Sequence, residues 1–176
     1  QQVGKKGGEM LAPRSIAFSP DNKTLYLAGY VGQWNDQSWG SRSWGNMVMK
    51  MTYGSDQAPT LFAGDAEQEK FGTAEGKFRM PTSVACDLLG RVYVSDYMNN
   101  RIQIFDAEGK FLKAIAIPNP NLVKVHQKTG DIYVFSLQTL EAGFHRTSQK
   151  DDVEATMSHL GPFENPVLKN KCPLPL

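Results

Sequence analysis

The sequence predicts an all-β chain made of repeated short antiparallel units. Three segments share one pattern: an alternating apolar run, a polar turn, then a second run centred on a tyrosine. Counting from the proline that opens each segment (Pro13, Pro81, Pro120), the tyrosine falls at +13, +12 and +13, at Tyr26, Tyr93 and Tyr133. Val, Ile, Tyr and Phe dominate the runs, and these residues suit a pleated, packed surface. No stretch of about twelve or more residues carries a helical period.

The first unit, Pro13–Ala28, turns at Asp21-Asn22. The second, Pro81–Asp96, turns at Gly90 and continues through Arg101-Ile102-Gln103-Ile104-Phe105, which alternates strictly. Asp106-Ala107-Glu108-Gly109 makes the next turn, and Lys110–Ile117 follows as a fourth strand. Asn, Asp and Gly supply the tight turns that hairpins demand. The third unit, Pro120–Phe135, turns at Gly130. Its third strand is expected at Gly143–Gln149 and its fourth at Val153–Met157. Four antiparallel strands in about 40 residues, repeated, predict the blades of a β-propeller. One blade cannot bury both of its faces alone, so neighbouring blades must stack sheet on sheet.

The stretch Phe78-Arg79-Met80-Pro81-Thr82-Ser83-Val84-Ala85-Cys86-Asp87-Leu88-Leu89-Gly90-Arg91-Val92-Tyr93-Val94-Ser95-Asp96-Tyr97-Met98-Asn99-Asn100-Arg101-Ile102-Gln103-Ile104-Phe105 closely resembles the NHL repeat family. The lead-in, Ala63-Gly64-Asp65 through Gly72–Phe78, resembles the Gly-rich linker before such repeats. The first and third units resemble it more loosely, since both lack the Asn-Arg-Ile signature. The likeness spans residues 10 to about 160 and is strongest over 72–117. It implies a closed ring, usually of about six blades. This chain carries about three, so the expected fold is all-β, an incomplete arc of an NHL-like propeller. Residues 1–10 are read as a lead-in. The blades are placed at 11–64, 81–117 and 121–160, within a propeller region of 11–162. Residues 163–176 are read as the truncated start of a further blade, or a tail. An open arc exposes two blade faces, which predicts a fragment, an assembly that completes the ring, or partner chains on both faces.

Composition sets outer limits. Hydrophobic residues make up 40% and charged residues 21%, enough for a core and unlike a disordered tail. The net charge of +1, with no block of about five like charges, gives no electrostatic footprint for nucleic acid. Apolar runs fall far short of the ~20 residues of a membrane span. Gln1–Gly8 lacks the apolar stretch of a leader peptide, and the chain reads as a processed product or an excised piece. Its Trp, Tyr and Pro content gives the expectation of a secreted or periplasmic protein. The two cysteines, Cys86 and Cys172, permit one disulfide without arguing for it.

Candidate chemistry concentrates in an insertion after the second strand of the first unit, Gly29–Asn46. All three tryptophans lie here, as Trp34-x4-Trp39-x4-Trp44 among Gly, Ser and Asn. Flat apolar plates on a polar loop suit stacking on sugars, aromatic rings or a partner's side chains. Tyr30, Trp34, Trp39, Arg42 and Trp44 are therefore the candidate ligand-binding residues. The alternative is that the tryptophans cap the propeller edge. By propeller geometry they should share one end of the arc with Phe71 and with Asp96 to Asn100. In the family resemblance, Asp96 and Arg101 act as a structural pair bracing a turn.

No catalytic residue is assigned, because no nucleophile elbow or catalytic constellation is present. No cofactor is expected, and no metal site, since His126, His145 and His159 lack ligand spacing. The expected function is a non-catalytic binding or scaffold module engaging a protein or a glycan. The alternative is part of a propeller enzyme, a metal-dependent hydrolase, lactonase or lyase, with catalytic residues partly outside this chain.

Overall fold

The computed structural model describes residues 10–32, 43–66, 70–137 and 155–175. The strands are β1 (Met10–Ala12), β2 (Ser15–Phe18), β3 (Thr24–Ala28), β4 (Val31–Gly32), β5 (Ser43–Trp44), β6 (Met47–Thr52), β7 (Thr60–Gly64), β8 (Pro81–Cys86), β9 (Val92–Asp96), β10 (Arg101–Phe105), β11 (Phe111–Ala116), β12 (Pro120–Val125), β13 (Ile132–Leu137), β14 (Ala155–Leu160) and β15 (Leu168–Pro173). One 3-10 turn, Tyr97–Asn99, joins β9 to β10.

Three four-stranded antiparallel sheets form: β2-β3-β6-β7, β8-β9-β10-β11 and β12-β13-β14-β15. They are blades I, II and III of a β-propeller arc. The innermost strands β2, β8 and β12 lie side by side. A small sheet, β1-β4-β5, sits on the insertion of blade I.

Period-two alternation explains the core. In blade II, Val84, Val92 and Val94 face blade I, whereas Ala85, Tyr93, Ile102 and Ile104 face blade III. Between blades I and II an aromatic cluster forms. Tyr26 meets Phe62 at 5.0 Å, Phe62 meets Phe105 at 6.0 Å, and Phe78 meets Phe105 at 5.9 Å between ring centroids. Edge-to-face and tilted contacts of this kind match the quadrupoles of the rings. Between blades II and III the core is aliphatic, with Ile102, Ile104, Ile115 and Ile117 against Val123, Val125, Ile132 and Val134.

The third blade departs from its sequence reading. The third strand is 155–160, paired with 132–137, and the expected strand at 143–149 lies outside the described residues. The fourth strand is 168–173, paired with β14. Within 163–176, read from the sequence as the start of a further blade or a tail, residues 168–173 instead form the fourth strand of blade III. The reason is a latch. Phe163 lies under Arg91 at 4.2 Å and Lys113 at 4.3 Å, Lys113 Nζ donates to the Phe163 carbonyl at 2.7 Å, and Arg91 pairs with Glu164 at 2.7 Å. That docking on blade II turns the chain at Gly161–Val167 and sends β15 back along β14.

Both thiols are free. Cys86 is buried between blades I and II, and Cys172 is half-buried on β15. No helix among the described residues is long and apolar enough to cross a membrane.

Candidate binding face

One end of the arc carries the described residues of the blade I insertion (29–32 and 43–46), those of the linker from β7 to β8, and the turn from β9 to β10. Asp96 organises it. Its carboxylate is fully buried and accepts the Arg101 Nε at 2.8 Å, the Arg79 backbone N–H at 2.8 Å, the Gln103 Nε2 at 3.0 Å and both arms of an Asn99 contact at 2.9 and 3.0 Å. A buried carboxylate needs such donors, because the charge has left water. Arg101 extends the set. Its NH1 donates to the Thr73 carbonyl at 2.7 Å, and its NH2 donates to the carbonyls of Ala74 and Lys77, each at 2.9 Å. Gln103 donates to the Lys77 carbonyl at 2.7 Å and accepts the Gly76 N–H at 3.0 Å. The pair therefore does more than brace its own turn; it fixes the linker before the blade.

That linker is stitched on both sides. Asn99 donates to the Gly72 carbonyl at 2.8 Å, and Met98 N–H donates to the Arg79 carbonyl at 3.1 Å. Met80 adopts φ +62°, uncommon for a residue with a Cβ. Asn46 Oδ1 accepts its N–H at 3.0 Å, and its carbonyl accepts the Tyr97 N–H at 3.3 Å. Bonds from two blades thus hold a costly conformation in place.

On this scaffold sit side chains with free surface. Phe71 is 58% exposed, and the Arg79 guanidinium lies over its ring at 5.3 Å. Met98 is exposed on the 3-10 turn. Phe71 shares this end with Asp96–Asn100, as propeller geometry requires. Of the candidate ligand residues, Tyr30 is half-buried and packs against the cluster of Leu27, Met47 and Met49, and burial pushes its hydroxyl pKa up. Trp44 lies on β5, paired through its backbone with Val31. Trp34, Trp39 and Arg42 lie outside the described residues.

Sequence reasoning missed Gln103, Asn99 and Arg79. Gln103 stood in plain view as the polar centre of Arg101-Ile102-Gln103-Ile104-Phe105, at a position that is fully buried. Arg79 had no local signal, since its role comes from Phe71 across the linker.

The other buried carboxylates are likewise saturated. Asp87 accepts the Arg91 Nε at 2.6 Å, the Tyr93 hydroxyl at 2.9 Å and the Leu89 N–H at 2.9 Å. Asp131 accepts Lys169 Nζ and His159 Nε2, each at 2.8 Å, and these bonds lower its pKa. No group of three His, Cys, Asp or Glu side chains placed to hold a metal ion occurs among the described residues.

Known proteins resemble this chain chiefly over its central blade. The model of the NHL repeat matches residues 78–105. The Protein brain tumor of Drosophila melanogaster is 38% identical over 73 residues, which cover 37% of this chain and 7% of that protein. NHL repeat-containing protein 3 of Homo sapiens is 50% identical over 44 residues, covering 24% of this chain and 13% of that one. The matches thus span a small part of either relative's length. Among solved structures, a chain of a nidogen–laminin complex superposes with a TM-score of 0.54 at 14% identity, over 96% of this chain and 49% of that chain, a likeness of fold alone. With blade order, strand spacing and matched repeat in agreement, the chain is an arc of three β-propeller blades whose central blade matches the NHL repeat over residues 78–105.

Proposed function

We propose that this chain is a recognition module that engages a protein or a glycan through the loop-bearing end of the arc. The observation that supports it is the contrast on that end between spent and unspent side chains. Asp96, Asn99, Arg101 and Gln103 are consumed in holding the linker and the turn. Phe71 with Arg79 on its ring, and Met98, are left facing solvent on a backbone that those bonds fix. Preorganised aromatic, guanidinium and thioether surface is what recognition sites use, because little entropy is lost when the partner docks. The candidates Tyr30, Trp34, Trp39, Arg42 and Trp44 of the blade I insertion are part of this proposal, the aromatic ones as plates for stacking on the ligand.

The test is binding of the full chain to a peptide-display library and a glycan array. A variant with Phe71→Ala and Met98→Ala, and another with Trp34, Trp39 and Trp44 all changed to Ala, should each lose the captured ligands while melting within about 2 °C of the parent. Retained binding by both variants overturns the reading. Loss of the fold in the tryptophan variant alone would favour edge capping for those residues and leave the Phe71–Met98 variant to decide.

A further inference from the structure

The seam between blades I and II and the seam between blades II and III follow one plan, but they are closed differently at the end of the arc opposite the loop-bearing one. In blade II, Ile104 pairs with Tyr93 on one side and with Lys113 on the other. The corresponding residues of blade I are Lys50, Tyr26 and Thr60. The Asp87 N–H bonds to the Arg91 carbonyl across the β8–β9 turn, and the Ser19 N–H bonds to the Thr24 carbonyl across the β2–β3 turn. Ser19 and Thr24 therefore correspond to Asp87 and Arg91.

The seam between blades II and III is filled. The Tyr93 hydroxyl donates to Asp87 Oδ2 at 2.9 Å, and Ile104 is fully buried. The Phe163 ring, carried by the turn of residues 161–167, plugs the mouth beneath Arg91 and Lys113, with Glu164 on Arg91.

Each of these parts changes between blades I and II. Ser19 stands in place of the aspartate, and its hydroxyl donates to Asp21 Oδ1 at 2.6 Å while accepting the Thr24 N–H at 2.9 Å. The Tyr26 hydroxyl is thereby left with no hydrogen-bond partner among the described residues, although Tyr26 is only 2% exposed. Lys50 stands in place of the buried isoleucine. Its Nζ lies 5.7 Å over the Phe62 ring and has no carboxylate partner among the described residues. The turn from β10 to β11 spans only residues 106–110 and brings Ala107 and Glu108 where blade III brings a phenylalanine ring. A cleft of about 640 Å³ results, lined by Tyr26, Lys50, Thr24 and Thr60. Thr24 and Thr60 correspond to the residues that hold Phe163, so the cleft lies where the other seam has its plug.

The lining defines what the cleft can take. A buried hydroxyl and an ammonium group on cross-strand neighbours both lack an acceptor, and one carboxylate satisfies the two together. Burial, above all, pushes the Tyr26 pKa up to about 12, so its hydroxyl stays protonated and donates. Asp21 and Glu108 put negative charge on the same cleft. A simple anion would be repelled by them, whereas a ligand that also carries an ammonium group would be held by both signs. Leu88 and Leu89, 59% and 76% exposed, add an apolar wall from the β8–β9 turn.

We infer that this cleft binds an α-amino acid with an apolar side chain, its carboxylate on the Tyr26 hydroxyl and Lys50 Nζ, its ammonium group facing Glu108 and Asp21, and its side chain against Leu88 and Leu89. The site is separate from the loop-bearing end and stands independently of the function proposed there.

The test is calorimetric titration of the full chain with L-phenylalanine, which should bind saturably with a Kd on the order of 1 mM or tighter. 3-Phenylpropionate lacks the ammonium group and 2-phenylethylamine lacks the carboxylate; each should bind at least about tenfold more weakly. Tyr26→Phe and Lys50→Ile should each weaken L-phenylalanine by at least about tenfold. Glu108→Gln should narrow the gap between L-phenylalanine and 3-phenylpropionate. Tyr26→Phe removes a hydroxyl that has no partner in the free protein, so its melting temperature should stay within about 2 °C of the parent. Tyr93→Phe breaks the bond to Asp87 and should melt lower while binding L-phenylalanine as the parent does. If Lys50→Ile loses its cooperative melt, Lys50→Met carries the same measurement. Absence of saturable binding up to about 10 mM overturns the inference. So does equal affinity for L-phenylalanine and 3-phenylpropionate, or parental affinity in folded Tyr26→Phe and Lys50 variants.

Discussion

Arg101 Nε stands 2.8 Å from Asp96 Oδ2, and the carboxylate it meets has no exposure to solvent. The pair lies at the base of the β9–β10 turn, directly opposite in register. It holds a segment more than twenty residues earlier in the chain through three carbonyl oxygens. Replacing Asp96 by Ala removes the acceptor for Arg79, Asn99, Arg101 and Gln103 together. Breaking a buried pair by deleting one partner costs about 3–5 kcal/mol, because the remaining charge is uncompensated. Urea unfolding of Asp96→Ala should show a loss of that size. A loss below about 1 kcal/mol would mean that the linker holds without the carboxylate.

The inter-blade serines give a second expectation: Ser15 Oγ on β2 accepts the Val84 N–H of β8 at 3.0 Å, and Ser83 Oγ on β8 accepts the Val123 N–H of β12 at 3.3 Å. Ser83→Ala leaves the Val123 N–H buried without its acceptor, a loss of about 1–3 kcal/mol. Ser15→Ala should act likewise on Val84. Hydrogen exchange should quicken at Val123 in the first variant and at Val84 in the second, and not the reverse. Exchange that quickens evenly across all three blades would show a global loss of stability and no specific bond.

Gly64 makes a sharper steric test. It has φ +93°, and a Cβ there would run into the Asn46 carbonyl oxygen while standing 2.9 Å from the Met47 Cα. Both obstacles are backbone on the partner strand and cannot swing aside. Gly64→Ala should therefore destabilise by at least about 2 kcal/mol. Gly54→Ala shares the positive φ, at +75°, but meets nothing within 4 Å, so it should cost only the backbone strain. Equal melting temperatures for the two variants would contradict this reading.

Alkaline pH should weaken the fold. Burial pushes the Tyr26 hydroxyl up to about 12, with a smaller push from Cys86, and burial followed by Asp87 pushes the Cys86 thiol up to about 12. Burial also raises Tyr93. In the unfolded chain the same groups ionise near their ordinary values, about 8.5 for a thiol and about 10 for a phenol. The unfolded state therefore loses protons first. The stability is fully present below about pH 8 and falls as pH rises towards the folded-state values near 12. The melting temperature should drop between pH 8 and pH 11, and Tyr26→Phe with Cys86→Ala should flatten the drop. An unchanged melting temperature across that range would show that these groups are not sealed from solvent.

The sequence by itself determined the repeated strands and their hairpin turns, while the Asp96–Arg101 pair is implied by the resemblance to the NHL repeat. Alternation, Asn and Gly at tight turns and the proline-to-tyrosine spacing are set by dihedral preferences and by neighbours a few residues away. Only the tertiary structure decided the outer strand of blade III. Leu168-Lys169-Asn170-Lys171-Cys172-Pro173 lies on an edge and is mostly exposed, so burial imposes no apolar alternation on it. Its place comes from the Phe163 latch on Arg91 and Lys113. The same holds for Arg79 over Phe71, for Gln103 beneath the linker, and for Ser15 reaching Val84 across 69 residues of chain. Those contacts depend on where whole blades come to rest against each other, and no local pattern encodes that.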